Sequence, residues 1–144
     1  MVLKIDYEVF RLVMAEKEEY VFDAVTYAIC EKGSEEAEFF DYPIPMPFTE
    51  KMELYKAYVE TFSPRIRRQF AHTPDERAYM GLFWYYADDD SEKSERFGKF
   101  EDMYYLRKLV DWCEMNHIAY YIDKSDWYLK SFVSEFQKNN IEKR

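Results

Sequence analysis

The sequence predicts an α+β fold, a mostly helical single domain over residues 1–144 with a small antiparallel sheet from the N-terminal third. Apolar residues form 48% of the chain and aromatic residues 20%, which is enough for a real core. Apolar side chains recur at helical spacing in several segments after residue 49, whereas β-branched and aromatic residues concentrate between residues 20 and 31. No linker or break in composition divides the chain, so one domain is the economical prediction.

The first third of the chain predicts a helix followed by a hairpin. Residues 5–19 predict a short helix, because Asp6 can cap its first turn and apolar residues follow at helical spacing. Residues 20–33, YVFDAVTYAICEKG, predict a strand or a hairpin that ends at Gly33. An acidic run follows, and then prolines at positions 43, 45 and 47 that forbid a helix and lack ladder donors. We expect an edge strand or a polyproline-like arm there.

The middle of the chain predicts three helices. Thr49 is expected to start the first, in the segment TEKMELYKAYVETF. Ser63 and Pro64 then form a cap and a first-turn proline for a short helix, PRIRRQFAH. Thr73 opens a capping box with Glu76, which predicts a third helix through RAYMGLFWYYA. Apolar residues cover most of the circumference of that helix, so we expect it to be central and buried.

The last third predicts a long helix, a strand and a final helix. The acidic run 88–95 is expected to be a loop. Residues 97–117 then predict a long helix whose apolar face is formed by Tyr105, Leu109, Trp112 and Cys113. Residues 118–122, IAYYI, predict a strand. Ser125 or Asp123 is expected to cap the final helix, whose apolar face is formed by Leu129, Phe132, Val133 and Phe136.

The composition excludes several classes of function. The chain has 3 glycines, and neither a Rossmann fingerprint nor a P-loop can form without several in one short loop. The net charge of −9 disfavours contact with a DNA backbone, which requires Lys and Arg, so no direct DNA binding is expected. The acidic balance favours either solubility alone or contact with a basic partner surface.

The two cysteines and the N-terminal segment indicate in which cellular compartment the protein is expected. Cys30 and Cys113 have no Cys or His at zinc-finger spacing, so we expect two reduced thiols in a cytoplasmic protein. Cys113 falls on the apolar face of the long helix, which predicts an inert core thiol. No run reaches the roughly 18 apolar residues of a membrane span, and the N-terminal segment carries acids, unlike a signal peptide. No membrane association is expected.

Four short stretches follow each other in a recognisable order: YVFD at Tyr20–Asp23, YPIP at Tyr42–Pro45, the pair Phe97 and Phe100, and WCEMNHI at Trp112–Ile118. This order resembles Uncharacterised Protein Family 0158, a family of small bacterial proteins, over residues 5–118. The resemblance implies a short helix, a hairpin, a proline-containing turn and then helices. The chain departs from the family in lacking a glycine in the hairpin turn and an Ala-Phe-Arg-Arg-Phe-Lys-like stretch. The family has no assigned chemistry, so the resemblance implies no activity and no site residues.

An aromatic helix that runs directly into acidic residues provides the first candidate site. The candidate partner-binding residues are Tyr85, Tyr86, Asp88, Asp89, Asp90 and Glu92. Aromatic groups beside carboxylates suit a partner rich in Lys and Arg. A calcium loop that starts at Asp88 needs Gly at its sixth position and Glu at its twelfth, but Lys93 and Lys99 stand there, so no metal ligands are expected. The alternative is a solvated loop.

A basic island provides the second candidate, for anion binding: Arg65, Arg67, Arg68 and His72. Arg65 and Arg68 are three residues apart, and Arg68 and His72 are four apart, so they share a helical face. Guanidinium groups match phosphate or carboxylate. The alternative is that these arginines pair with the abundant surface acids. His117 ends the long helix, where its positive charge is expected to favour the dipole as a cap.

The sequence favours a non-enzymatic, acidic and aromatic-rich protein-binding module that engages a basic partner surface, such as that of a nucleic-acid-binding protein. This hypothesis includes a phage or mobile-element inhibitor that mimics nucleic acid charge. No G-x-S-x-G, H-E-x-x-H or S-x-x-K motif is present. The alternative is a small enzyme or ligand-binding domain that recognises phosphate or carboxylate through the Arg65–His72 cluster, with Asp88 or Asp90 as metal or acid–base groups. No cofactor is expected, and the oligomeric state stays open.

Overall fold

The structure, a computed structural model, describes residues 1–14 and 18–142. The described elements are β1 (Leu3–Ile5), α1 (Tyr7–Met14), β2 (Tyr20–Asp23), β3 (Ile29–Glu31), α2 (Glu35–Glu38), β4 (Pro43–Pro45), α3 (Lys51–Val59), α4 (Pro64–Ala71), α5 (Glu76–Ala87), α6 (Ser91–Met115), β5 (Tyr120–Ile122), a 3-10 turn (Leu129–Ser131) and α7 (Val133–Glu142). The predicted α+β class is confirmed. Residues 15–17 of the predicted first helix lie outside the described residues.

The contacts of the chain group it into two compact units. Unit 1 contains residues 1–49 and 103–144, and unit 2 contains residues 50–102. The long helix α6 contributes its first part to unit 2 and its last part to unit 1.

Unit 1 contains both sheets. In the larger sheet β2 lies between β3 and β4, and both pairings are antiparallel. The predicted hairpin is therefore confirmed, and the proline segment forms the edge strand β4. The predicted strand at residues 118–122 is β5, which pairs in parallel with β1.

The core of unit 1 forms around the last part of α6. The four residues of its predicted apolar face are all buried, as are the four of the final helix face. The Trp112 indole Nε1–H donates to the Pro45 carbonyl at 2.8 Å, and the Phe22 ring meets the indole edge to face at 5.4 Å. A buried indole keeps its polar group satisfied in this way, which fixes α6 against β4.

Aspartates cap two helical segments of unit 1, α1 and the turn before α7. The Val9 N–H donates to Asp6 at 3.1 Å, which confirms the predicted cap of α1. The prediction that Ser125 or Asp123 caps the final helix is wrong, because Asp126 accepts the N–H groups of the turn that leads into it. Asp123 instead accepts both the N–H and the hydroxyl of Ser125, at 3.0 and 2.7 Å, and forms a local turn.

Two predicted helix starts in the middle of the chain are wrong by two residues. The Thr49 hydroxyl accepts from the Lys108 ammonium at 2.9 Å, and α3 begins after Glu50 instead. The Thr73 hydroxyl donates to the Phe70 carbonyl at 2.7 Å, so it closes α4 and leaves Asp75 to cap α5. The Ala78 N–H donates to Asp75 at 2.8 Å.

The start of α4 follows the prediction. Ser63 is the N-cap residue of α4, and Pro64 occupies its first turn. The Ile66 N–H donates to the Ser63 hydroxyl at 3.4 Å.

The prediction that α5 is central and buried is wrong. Phe83 and Ala87 are its buried residues, and they pack in one cluster with Tyr55, Val59 and Phe70. The other aromatic side chains of α5 are partly or largely exposed. A unit this small has too few elements to surround a helix, so apolar residues on its outer side remain at the surface.

Candidate functional site

The acidic residues after α5 join two helices. Asp88 ends α5, where its N–H donates to the Trp84 carbonyl at 2.9 Å. Asp90 precedes α6 and accepts the Lys93 N–H at 2.8 Å. The predicted loop over residues 88–95 is therefore wrong, because α6 begins at Ser91. The Asp90 carboxylate lies at the positive end of the α6 dipole, so its position stabilises the fold.

Lys93 offsets part of this acidity. Its Nζ lies 3.8 Å from the Asp89 carboxylate and 4.0 Å from that of Asp90. The same ammonium donates to the Tyr85 carbonyl at 3.3 Å and lies 5.1 Å from the centre of the Tyr85 ring. Lys93 thus holds the Tyr85 ring beside the carboxylates, while Asp88, Asp89 and Glu92 stay exposed.

The aromatic residues of this region divide into surface and core. Tyr85 is 57% exposed and Trp84 is 41% exposed. Tyr86 instead packs against the core cluster of unit 2, and its hydroxyl donates to the Gln69 amide oxygen at 2.8 Å. The exposed aromatic and acidic residues here, other than the α6 cap Asp90, are Trp84, Tyr85, Asp88, Asp89 and Glu92, and we name them the acidic–aromatic surface. Sequence reasoning missed Trp84, because it was assigned to a buried helix.

The basic island lies on α4 and is partly engaged. The Arg67 guanidinium donates to the Glu60 carboxylate at 3.5 Å, as the pairing alternative expects. The His72 Nδ1 lies 2.7 Å from the Arg68 carbonyl oxygen. A shallow recess of about 380 Å³ is lined by Glu60, Pro64, Arg67, Arg68 and Ala71. Arg65 is outside this lining, and the Glu60 carboxylate places a negative charge where an anion would bind.

Cys113 is a core thiol, as predicted. It is buried, and its pKa is raised to about 12, first by burial and then by the charge of Glu114. A thiol of this kind stays protonated and unreactive at neutral pH. Both cysteines are free.

His117 ends α6 through its backbone. Its φ is 55°, the left-handed conformation that closes a helix. The His117 N–H donates to the Glu114 carbonyl at 3.3 Å, and the Ile118 N–H donates to the Cys113 carbonyl at 2.9 Å. The side chain is exposed. The predicted position of His117 at the end of the helix is therefore confirmed, and it closes the helix through its backbone; the predicted effect of its charge stays a prediction.

Within residues 1–14 and 18–142, no group of three or more His, Cys, Asp and Glu side chains is arranged to hold a metal ion. Among the same residues, no helix has the length and apolar character needed to cross a bilayer.

Compared with protein-family models, curated proteins and solved structures, the chain has no match. The evidence for its function therefore comes from its own residues.

Proposed function

We propose that this protein is a non-enzymatic, acidic protein-binding module that engages a basic surface of another protein through the acidic–aromatic surface. The observation that supports it is the exposure of Tyr85 and Trp84 beside the exposed carboxylates of Asp88 and Asp89. Tyrosine and tryptophan provide large rigid contact area, and carboxylates match the Lys and Arg of a basic partner.

The charge of the whole chain favours the same class of partner. A net charge of −9 steers a cationic surface towards the protein and repels nucleic acids and acidic proteins. Rim charges of this kind act mainly on the association rate and on its dependence on salt. Binding is therefore expected to weaken as the ionic strength rises.

A finer form of this proposal is that the partner is a nucleic-acid-binding protein. The chain would inhibit that partner by presenting carboxylates in place of phosphates. An inhibitor encoded by a phage or a mobile element would act in this way. Duplex DNA and this protein then compete for one partner surface. A captured partner that binds DNA and this protein at the same time contradicts the finer form and leaves the general proposal intact.

Capture of partners from lysate tests the proposal. The immobilised protein is exposed to lysate at about 50 mM and about 500 mM NaCl, and the retained proteins are identified. The test variant is Asp88→Lys/Asp89→Lys, and the control is Glu35→Lys/Glu38→Lys, which changes the charge equally at exposed residues of α2. Asp90 is left unchanged because it caps α6.

We expect one or more basic proteins to be retained at low salt, released at high salt, and lost with the test variant alone. Equal retention by the test variant, or retention that ignores salt, contradicts the proposal.

A further inference from the structure

Unit 1 contains a groove that no predicted site includes. It has a volume of about 680 Å³ and lies alongside α1, β3 and α2. Its apolar lining comes from Val9, Leu12 and Ile29, and its carboxylates come from Glu8, Glu31 and Glu36. An apolar floor with acidic groups suits a segment that carries both apolar and basic side chains.

The groove follows the outer edge of β3. Ile29, Cys30 and Glu31 all line it, although successive side chains of a strand point to opposite faces. The Lys32 N–H donates to the Glu19 carbonyl and the Asp23 N–H donates to the Ala28 carbonyl, both at 2.9 Å. Hydrogen-bonded pairs alternate with non-bonded pairs along an antiparallel ladder. The backbone of Cys30 therefore forms a hydrogen-bonded pair with Val21 of β2, while the backbone N–H groups of Ile29 and Glu31 point away from β2.

The two edges of this sheet differ. At β4 the edge contains Pro43 and Pro45, which lack the N–H needed for further pairing. The sequence of β3 is Ile-Cys-Glu, with no proline. Among the described residues β3 pairs with β2 alone. The sheet is therefore closed to strand addition at the β4 edge. At the β3 edge the Glu31 carbonyl already accepts the Ser34 N–H at 3.2 Å and the Ser34 hydroxyl at 2.7 Å, so a further strand would pair with the N–H and carbonyl of Ile29 and with the N–H of Glu31.

The acidity of the chain concentrates in the segment that contains β3. Residues 1–49 contain eleven acidic and four basic residues, a net charge of −7 out of −9. Three of these basic residues form ion pairs: Lys4 with Asp123 at 3.7 Å, Arg11 with the groove residue Glu8 at 3.0 Å, and Lys32 with Glu19 at 3.4 Å. These three ion pairs do not involve Glu31 or Glu36, which are both exposed.

We propose that this groove binds an extended, basic segment of another protein, which adds to the sheet as a strand beside β3. Ile29 and Glu31 lie on one face of β3 because they are two residues apart. The segment therefore places an apolar residue opposite Ile29 and a Lys or Arg, two positions away, opposite Glu31. Main-chain hydrogen bonds provide affinity, and this spacing provides specificity. The proposal does not depend on the acidic–aromatic surface.

Fluorescence anisotropy with synthetic peptides tests the proposal. The labelled probe is KTVTKTVTK, in which valine and lysine alternate on one face of a strand. The permuted peptide KVTTKTTVK has the same composition and charge, but places valine and lysine on opposite faces. A third peptide has the sequence of the probe with N-methyl groups on the backbone nitrogens of the pairing edge, which removes its donors. We expect the probe to bind about tenfold more tightly than either control peptide.

The protein variants locate the site. Glu31→Lys/Glu36→Lys is expected to weaken binding of the probe by about tenfold or more. Glu31→Gln/Glu36→Gln, a milder change of similar size, is expected to weaken it in the same direction. Glu76→Lys/Glu95→Lys carries the same charge change as the first variant, at exposed residues of α5 and α6 outside both proposed binding surfaces, and is expected to retain binding. Circular dichroism confirms that each variant is folded.

Three outcomes overturn the proposal. Equal binding of the permuted or the N-methylated peptide shows that strand addition does not occur. Equal loss in the Glu76→Lys/Glu95→Lys variant shows that only net charge matters. Dimerisation of the wild type in sedimentation, abolished by Glu31→Lys/Glu36→Lys, shows that a second copy of this chain occupies the edge. The outcome of the peptide experiment is independent of the lysate experiment, because the test variant used with lysate changes the acidic–aromatic surface.

Discussion

The Asp23 carboxylate accepts a hydrogen bond from the Tyr42 N–H at 3.1 Å and so ties the end of β2 to the residue before β4. Asp23 is only 2% exposed. It also accepts the Val25 N–H at 3.2 Å and the Thr26 hydroxyl at 2.9 Å. Burial alone raises the pKa of Asp23, but these hydrogen bonds outweigh it and the net pKa is lowered. A buried, ionised aspartate therefore organises the β2–β3 turn and positions β4.

Replacement of Asp23 is expected to destabilise unit 1. Asp23→Ala leaves the N–H groups of Val25 and Tyr42 without their acceptor in a nearly buried site, which lowers the free energy of unfolding. Thermal unfolding followed by circular dichroism should show a midpoint several degrees lower. Thr26→Val removes one donor and keeps the acceptor, so it serves as the control with a smaller decrease. Equal midpoints for Asp23→Ala and the wild type would contradict this role.

The stability of the fold is expected to fall in acid. Burial raises the pKa of Asp126. The N–H groups of Tyr7, Leu129 and Tyr128 donate to its carboxylate and together outweigh burial, so the net pKa is lowered. A group whose pKa is lower in the folded state contributes stability above its unfolded pKa of about 3.9, and loses it as the pH falls through the folded value.

Urea unfolding from pH 6 down to pH 2 measures this effect. The wild type should lose stability below about pH 4, and Asp126→Asn should lose less over that interval because it has no proton to take up there. The difference between the two proteins isolates Asp126 from the other carboxylates. Parallel curves for the two proteins would show that Asp126 has no lowered pKa.

The two cysteines are expected to react at different rates. Cys113 is buried and its pKa is raised to about 12, whereas Cys30 is half-buried on β3. An aromatic disulfide reagent at pH 8 should therefore modify one thiol in the native protein and both in guanidinium. Cys30→Ser should remove the native reaction, and Cys113→Ser should leave it unchanged. A native reaction that survives Cys30→Ser would show that Cys113 becomes exposed.

Phe83 and Tyr85 are expected to separate stability from binding. Phe83 is fully buried, with its ring 4.5 Å from that of Tyr55 and 5.2 Å from that of Phe97. Phe83→Ala should lower the free energy of unfolding by about 3–5 kcal/mol, since it leaves a cavity. Tyr85→Ala removes an exposed ring and should change stability by less than about 1 kcal/mol. If the proposed function is right, the Tyr85→Ala protein remains folded and retains less of the captured partner than the wild type does.

The sequence predicted where the helices and strands lie better than it predicted which other elements pack around each of them. Helical spacing located the buried faces of α6 and α7, because an apolar stripe has one physical solution in a soluble chain. Thr73 misled the prediction of α5, since a threonine can cap the next helix or close the previous one, and only the neighbouring Phe70 carbonyl decides between them. The exposure of Trp84 depends on how many elements surround α5, which no local pattern records.

The candidate sites show the same limit. The residues of the acidic–aromatic surface are adjacent in sequence, so most of them could be predicted, apart from the role of Lys93 as their counter-ion. The groove could not be predicted from the sequence, because Leu12 and Ile29 are far apart in the chain and line the same groove only in the folded protein. A pattern of charge in the first 49 residues was its one signal.

Two of the aspartates after α5, Asp88 and Asp90, are expected to differ in their effect on stability. Asp90 accepts the Lys93 N–H in the first turn of α6, so Asp90→Ala should lower the free energy of unfolding by about 0.5–2 kcal/mol. Asp90→Ser keeps a capping oxygen without the charge and should recover most of that loss. Asp88→Ala, which removes a carboxylate from the negative end of the α5 dipole, should leave stability unchanged or slightly increased. Chemical denaturation of the three variants measures this order, and an Asp88→Ala protein less stable than Asp90→Ala would reverse the assignment of the structural aspartate.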